Sequence, residues 1–161
     1  MRLPILDKLE KELMASKREL EVDIPKALKE AVAMGDLSEN AEYKSAKERQ
    51  MFLESRISQL QKRVGDITSI NINQIPKDRS GLGSTLHLKD VETGEPKTYK
   101  LVFPEEVNPD EGKISLASPL GKALFGKRVG DEVVFPMQGQ KKEFEVIQMT
   151  TIHECQEISQ K

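Results

Sequence analysis

Residues 53–67 read Leu53-Glu54-Ser55-Arg56-Ile57-Ser58-Gln59-Leu60-Gln61-Lys62-Arg63-Val64-Gly65-Asp66-Ile67. The apolar members Leu53, Ile57, Leu60, Val64 and Ile67 follow one another at steps of 4, 3, 4 and 3. That is the seam of a helix packed along another helix. A similar stripe lies upstream in Leu6, Leu9, Leu13, Leu20, Ile24, Leu28 and Ala31, with a drift in phase. Pro25 falls inside it, and a proline there is expected to kink or loosen the helix. Between the stripes runs Met34-Gly35-Asp36-Leu37-Ser38-Glu39-Asn40, dense in residues that break or cap helices. Two striped helices joined by a short turn pack antiparallel as a hairpin. Arms of about 30 residues would each be roughly 45 Å long. From periodicity alone, a coiled coil used for dimerisation is the plainer alternative.

The rest of the chain has a different texture. Residues 1–75 hold 2 of the 10 Gly and 2 of the 8 Pro, and the remainder fall in 76–161. Gly and Pro punctuate turns and are costly inside helices, so the second part is expected to be short strands and turns. The strand candidates are Thr85–Leu88, Tyr99–Phe103, Ile114–Leu116, Val133–Phe135 and Phe144–Ile147, with Glu92-Thr93-Gly94 as a turn. One short helix is expected from Pro119 to Phe125, with Ser118 as cap, Pro119 at the first position and Gly126 at the end. Together these predict an α+β chain: a helical hairpin with an acidic tip over 1–72, a connection over 73–83, and a small antiparallel-sheet domain over 84–161.

Composition narrows the function. The chain has 161 residues, with 25 Lys and Arg against 27 Asp and Glu, so its formal charge is −2. That balance argues against holding nucleic acid by bulk charge. Residues 1–75 carry 13 basic and 13 acidic side chains, unevenly spread. The single cysteine, Cys155, excludes an internal disulfide framework and fits a reducing compartment. No apolar run approaches the roughly 18 residues of a membrane span, and the N-terminus turns charged too soon for a secretory signal. A cytoplasmic protein with no membrane association is expected. Cys155, His87 and His153 have no partner spacing for a metal or nucleophile site. Phe52 and Phe125 are expected in the core.

The turn between the arms concentrates the chemistry. No basic residue lies between Lys29 and Lys44, while Glu30, Asp36, Glu39 and Glu42 do. Like charges repel, so an outside cation is the natural compensation. Asp36 and Glu39, three apart, can face forward together. Two carboxylates are too few for a dedicated Mg²⁺ cage but suit a site shared with another molecule. The same spacing also makes a capping box and favours the helix dipole. Ser38 can bond a metal water or cap the turn. Asn40 and Tyr43 can brace the tip or pack within the hairpin. Lys44, Lys47, Arg49 and Arg56 form a basic stretch or an ordinary solvated face.

The stretch Gly35 to Tyr43 resembles the signature of the GreA/GreB family of bacterial transcript cleavage factors, most like its GreA members. Lys47-Glu48-Arg49-Gln50, Phe52, Glu54, Arg56-Ile57 and Leu60 are similar to the family's second helix. Gly112-Lys113-Ile114-Ser115, Ser118 to Leu124 and Gly126 to Val133 are similar to its C-terminal domain. The resemblance covers nearly the whole chain. It implies an FKBP-like C-terminal domain bound at the rim of the RNA polymerase secondary channel, with Ser118, Pro119 and Lys122 as candidate contacts. It implies a coiled coil that enters the channel, and tip acids, at Asp36 and Glu39, that help hold the polymerase's second Mg²⁺ and orient the attacking water on a backtracked transcript. The factor would then be no enzyme itself. It would have no cofactor of its own beyond that shared Mg²⁺, act as a monomer, meet the nascent RNA 3′ end within the complex, and contact that RNA or the channel through Lys44, Lys47, Arg49 and Arg56. Two departures from the family pattern stand out: Val32 stands where an Arg is usual, and Glu21-Val22 where an Arg-Pro pair is usual. A relative that occupies the channel and inhibits without cleavage is the alternative, and a prolyl isomerase a third.

Overall fold

The computed structural model describes residues 2–35 and 40–159. The chain divides into two compact units, Met1–Ile70 and Asn71–Lys161.

The first unit is the hairpin. One arm consists of α1 (Pro4–Arg18), a π-helical stretch (Glu19–Asp23) and α2 (Ile24–Ala33). The other is α3 (Ala41–Thr68), 28 residues long. The π stretch is where Pro25 exerts its effect. In a regular helix the N–H of residue 25 would bond to the carbonyl of Glu21, but Pro25 has none and its ring presses on that carbonyl. The helix widens instead, and the N–H of Ile24 donates to the carbonyl of Glu19, five residues back. Such a bulge adds one residue to the turn. The buried positions record the addition. Ala46, Leu53, Leu60 and Ile67 on α3 recur every 7 residues, while Leu9, Ser16, Ile24 and Ala31 on the first arm recur at 7, 8 and 7. The phase drift of the first stripe is this inserted residue.

The seam holds the arms together: each fully buried Leu contributes about 1.5–3 kcal/mol, and most helical stability in proteins comes from such packing. Ion pairs join the arms beside the seam. Arg49 forks the Glu19 carboxylate at 2.8 and 2.9 Å, and Arg56 reaches Glu12 Oε1 at 2.8 and 2.6 Å. Arg2 pairs with Asp7 and Glu10 within the first arm.

The second unit is a five-stranded sheet, β1 (Thr85–Asp90), β2 (Pro96–Val102), β3 (Lys113–Ser115), β4 (Glu132–Met137) and β5 (Gln140–Thr150), in the order β3-β2-β1-β5-β4. All five expected strands form. The expectation of a wholly antiparallel sheet is corrected, because β3 runs parallel to β2. Pro104 and Pro109 each open a 3₁₀ turn between them, and these carry the chain back so that β3 opens with Lys113 beside Lys100 and runs along the last three residues of β2. At Glu92-Thr93-Gly94, the N–H groups of Thr93 and Glu92 donate to the Asp90 carboxylate at 3.2 and 2.9 Å. Those bonds hold its carboxyl below the usual range. The core is Leu86, Leu88, Leu101, Leu124, Val133, Phe144 and Val146, with Leu124 supplied by α4 (Pro119–Leu124).

Two further expectations change. A second helix, α5 (Ile152–Ser159), follows β5, so the unit has more than one helix. The stretch 73–83 belongs to the second unit and is partly buried. Ser80 exchanges backbone bonds with Gly126 and Lys127 and bonds through its hydroxyl to the Leu124 carbonyl. Its few apolar side chains concealed this, since backbone and a serine hydroxyl do the anchoring.

Candidate functional site

The turn lies where the two arms end. α2 closes at Ala33, and Gly35 follows with φ 129°, a conformation L side chains rarely adopt. α3 opens behind Asn40, whose Oδ1 accepts from the Tyr43 N–H at 3.1 Å. Asn40 Nδ2 donates to the Ala31 carbonyl at 2.7 Å, across the hairpin. This carboxamide is buried and joins both helix ends. Asp36, Ser38 and Glu39 lie outside the described residues, between these anchors. Among the described residues no group of three or more His, Cys, Asp or Glu could hold a metal ion.

The four basic residues divide. Arg49 and Arg56 are tied to Glu19 and Glu12 on the opposite arm. Arg49 also stacks over the Phe52 ring, 4.9 Å from its centroid. The hydrogen bond from Arg49 holds the Glu19 carboxyl below its ordinary value, and Glu19 in turn raises Arg49. These contacts brace the hairpin, the part that i, i+4 pairing along one helix does not explain. Lys44 is exposed. Lys47 is exposed as well, with its ammonium 5.8 Å from the Tyr43 ring centroid and 3.3 Å from Gln50 Oε1. Tyr43 is half-buried on the same face. Nothing in the sequence signalled the partners of Arg49 and Arg56, which lie 30 and 44 residues away.

Phe52 is corrected from core to surface at 55% exposed, since the seam passes through its neighbour Leu53. Val32 and Met34, near the turn, are exposed too. Between α2 and α3, Ile24, Ala27, Ala41, Glu42, Ser45, Ala46 and Arg49 line an open cleft of about 450 Å³.

On the second unit Ser118 caps α4: its Oγ accepts from the Gly121 N–H at 3.0 Å and donates to the Ser115 carbonyl at 2.7 Å. The hydroxyl is thereby engaged inside the unit, while Pro119 and Lys122 are exposed. Phe125, expected in the core, is 57% exposed. α4 turns Leu124 inward, and Phe125 at its C-cap adopts extended backbone with no core position left to fill. Pro119, Lys122 and Phe125 recur every three residues. His153 donates from Nε2 to the Ile75 carbonyl, 2.8 Å away, and His87 sits 3.0 Å from the Thr98 hydroxyl; both contacts are structural.

The described residues thus form a two-unit α+β protein, a helical hairpin followed by a small mixed-sheet unit. Two family models match it. Residues 5–68 match the model "Transcription elongation factor, N-terminal" and residues 75–151 match "Transcription elongation factor, GreA/GreB, C-term". The chain therefore belongs to the GreA/GreB family of transcription elongation factors. It is 41% identical over 144 residues to transcription elongation factor GreA of Desulfotalea psychrophila, covering 89% of each chain. It is 41% identical over 140 residues to GreA of Nautilia profundicola, covering 87% of this chain and 86% of that one. Among solved structures, the GreA factor homolog 1 (Gfh1) protein of Thermus thermophilus is 32% identical, covers 89% of this chain and 93% of that one, and has a TM-score of 0.42. Among the described residues, no helix is long and apolar enough to cross a membrane.

Proposed function

We propose that this chain is a transcript cleavage factor that acts, as a monomer, on bacterial RNA polymerase. The hairpin enters the secondary channel and brings Asp36 and Glu39 to the polymerase active centre, where a backtracked RNA 3′ end awaits cleavage. The observation that carries this reading is the hairpin end: a turn bearing carboxylates and no cation between Lys29 and Lys44, bracketed by two helix ends that one buried Asn40 joins. A chain that needed those acids for itself would neutralise them locally.

The donor set fits the polymerase's Mg²⁺. Carboxylate oxygens are the hard ligands it prefers, and two of them suit an ion shared with another protein. When bound, that ion supplies charge neutralisation at the scissile phosphate and a more acidic water. Asp36 and Glu39 would contribute oxygen ligands and orient the water, and the hydrolysis remains the polymerase's own. The factor is then an activator with no enzyme activity apart from its partner.

Lys44 and Lys47 are assigned the contact with RNA or channel wall. Arg49 and Arg56 instead keep the hairpin stiff enough to act at a distance. On the second unit, Pro119 and Lys122 are assigned to polymerase binding, with Ser118 holding their helix in place.

A defined backtracked elongation complex with Mg²⁺ tests the reading. The chain should stimulate 3′ cleavage, and Asp36→Ala or Glu39→Ala should abolish the stimulation while polymerase binding survives. Nucleotide incorporation in the same assay reports the inhibitory alternative. Normal cleavage by the doubly substituted protein refutes the proposed role of the acids.

A further inference from the structure

The Asn40 side chain makes two bonds, and only one of them is helix capping. Its Oδ1 takes the Tyr43 N–H, a role that Ser, Thr or Asp fills as well. Its Nδ2 crosses the hairpin to the Ala31 carbonyl, nine residues earlier, at 2.7 Å. That carbonyl stands in the last turn of α2, where carbonyls lack a partner further along the helix, and it also receives the N–H of Met34 at 3.1 Å. Among the side chains favoured at an N-cap, only Asn offers an acceptor together with amide donors. Asn40 is 9% exposed, so water cannot readily replace either bond.

We propose that Asn40 is a positioning residue: its amide bond to Ala31 ties the end of α2 to the start of α3 and so fixes the two anchors of the acid-bearing turn. The inference rests on the transcript-cleavage reading and adds to it a residue that acts through Asp36 and Glu39. Asp36 follows Gly35 directly and Glu39 precedes Asn40 directly, so each acid is one peptide from an anchor. Carboxylates that complete another protein's metal site work only when delivered to the right place, and a displacement of about 1 Å can cost roughly 100-fold in rate.

The experiment compares the wild-type chain with Asn40→Ser and Asn40→Asp in the backtracked complex. It reads cleavage rate against Mg²⁺ concentration, polymerase occupancy by competition, and helix content by circular dichroism. Both variants keep a cap acceptor, and neither can donate an amide N–H to Ala31. Occupancy and helix content should match the wild type, while cleavage at limiting Mg²⁺ falls about tenfold or more and partly recovers as Mg²⁺ is raised. Asn40→Asp adds a negative charge beside the turn, which alone would favour Mg²⁺, so a loss shared by both variants marks the missing amide donor. Wild-type Mg²⁺ dependence in both variants overturns the inference, and so does a loss of occupancy that accounts for the loss of cleavage. If the wild-type chain itself does not stimulate cleavage, the transcript-cleavage reading falls and takes this inference with it.

Discussion

Replacing Gly121 by Ala should unfold the second unit far more easily, and the geometry says by how much. A Cβ at Gly121 would stand 2.0 Å from the Ser115 carbonyl oxygen and 3.0 Å from both its carbonyl carbon and Ser118 Oγ. Ordinary carbon–oxygen approach in proteins is about 3.3 Å or more, so α4 must retreat from β3 by over an ångström. The obstacle is backbone, which cannot swing aside as a side-chain tip would. Retreat also breaks the Gly121 N–H bond to Ser118 Oγ and the Ser118 bond to the Ser115 carbonyl, and it lifts Leu124 from a core where it is 0% exposed. Overpacking costs about 1–3 kcal/mol and a lost cap about 1, so about 2–4 kcal/mol is expected. The same substitution at Gly65 should have the opposite sign. Nothing lies within 4 Å of a Cβ there, the site is helical and exposed, and Ala gains about 0.5–1 kcal/mol over Gly in a helix. Urea unfolding followed by circular dichroism reads both, with Tyr99 fluorescence in a Tyr43→Phe background reporting the second unit alone. The midpoint for Gly121→Ala should fall by roughly 1–2 M, while that for Gly65→Ala should hold or rise. An unchanged midpoint for Gly121→Ala would refute the close packing of α4 on β3.

Leu60→Ala should destabilise the hairpin by about 2–5 kcal/mol, because Leu60 is 2% exposed in the seam. Met51→Ala, 69% exposed on the same helix, should stay within about 0.5 kcal/mol, and equal losses would contradict the seam. The hairpin should also weaken in acid through one identifiable pair. The hydrogen bond from Arg49 holds the Glu19 carboxyl below its ordinary value, so the pair's contribution is complete above that ordinary value and is lost as pH falls through the lowered pKa. Glu19→Gln should therefore flatten the dependence of hairpin melting temperature on pH below 4.5, and an unaltered profile would show that the pair does not report on folding.

Much of this molecule is legible locally. The heptad steps, the change in Gly and Pro density, the cap at Ser118 and the five strands all depend on interactions within a few residues, and helical period and capping chemistry express those directly. The drift in the first stripe was visible as well, although its cause, a π turn ahead of Pro25, needed the hydrogen bond from Ile24 to Glu19. Within the candidate site, the carboxylate-rich turn could be read from the sequence, whereas the bond from Asn40 to Ala31 could not.

What the sequence by itself determined is the set of elements, their order and the chemical character of the turn, because periodicity, caps and turn residues act over one or two helical turns. Tertiary structure alone decided which charges are neutralised and which remain available. Arg49 and Arg56 meet Glu19 and Glu12 only because the buried seam sets the register between the arms. Phe52 and Phe125 lie at the surface because Leu53 and Leu124 occupy the inward positions beside them. The parallel pairing of β3 with β2 depends on how ten residues between them turn back. Each outcome follows from the free energy of contacts between residues far apart in the chain, which no local pattern encodes.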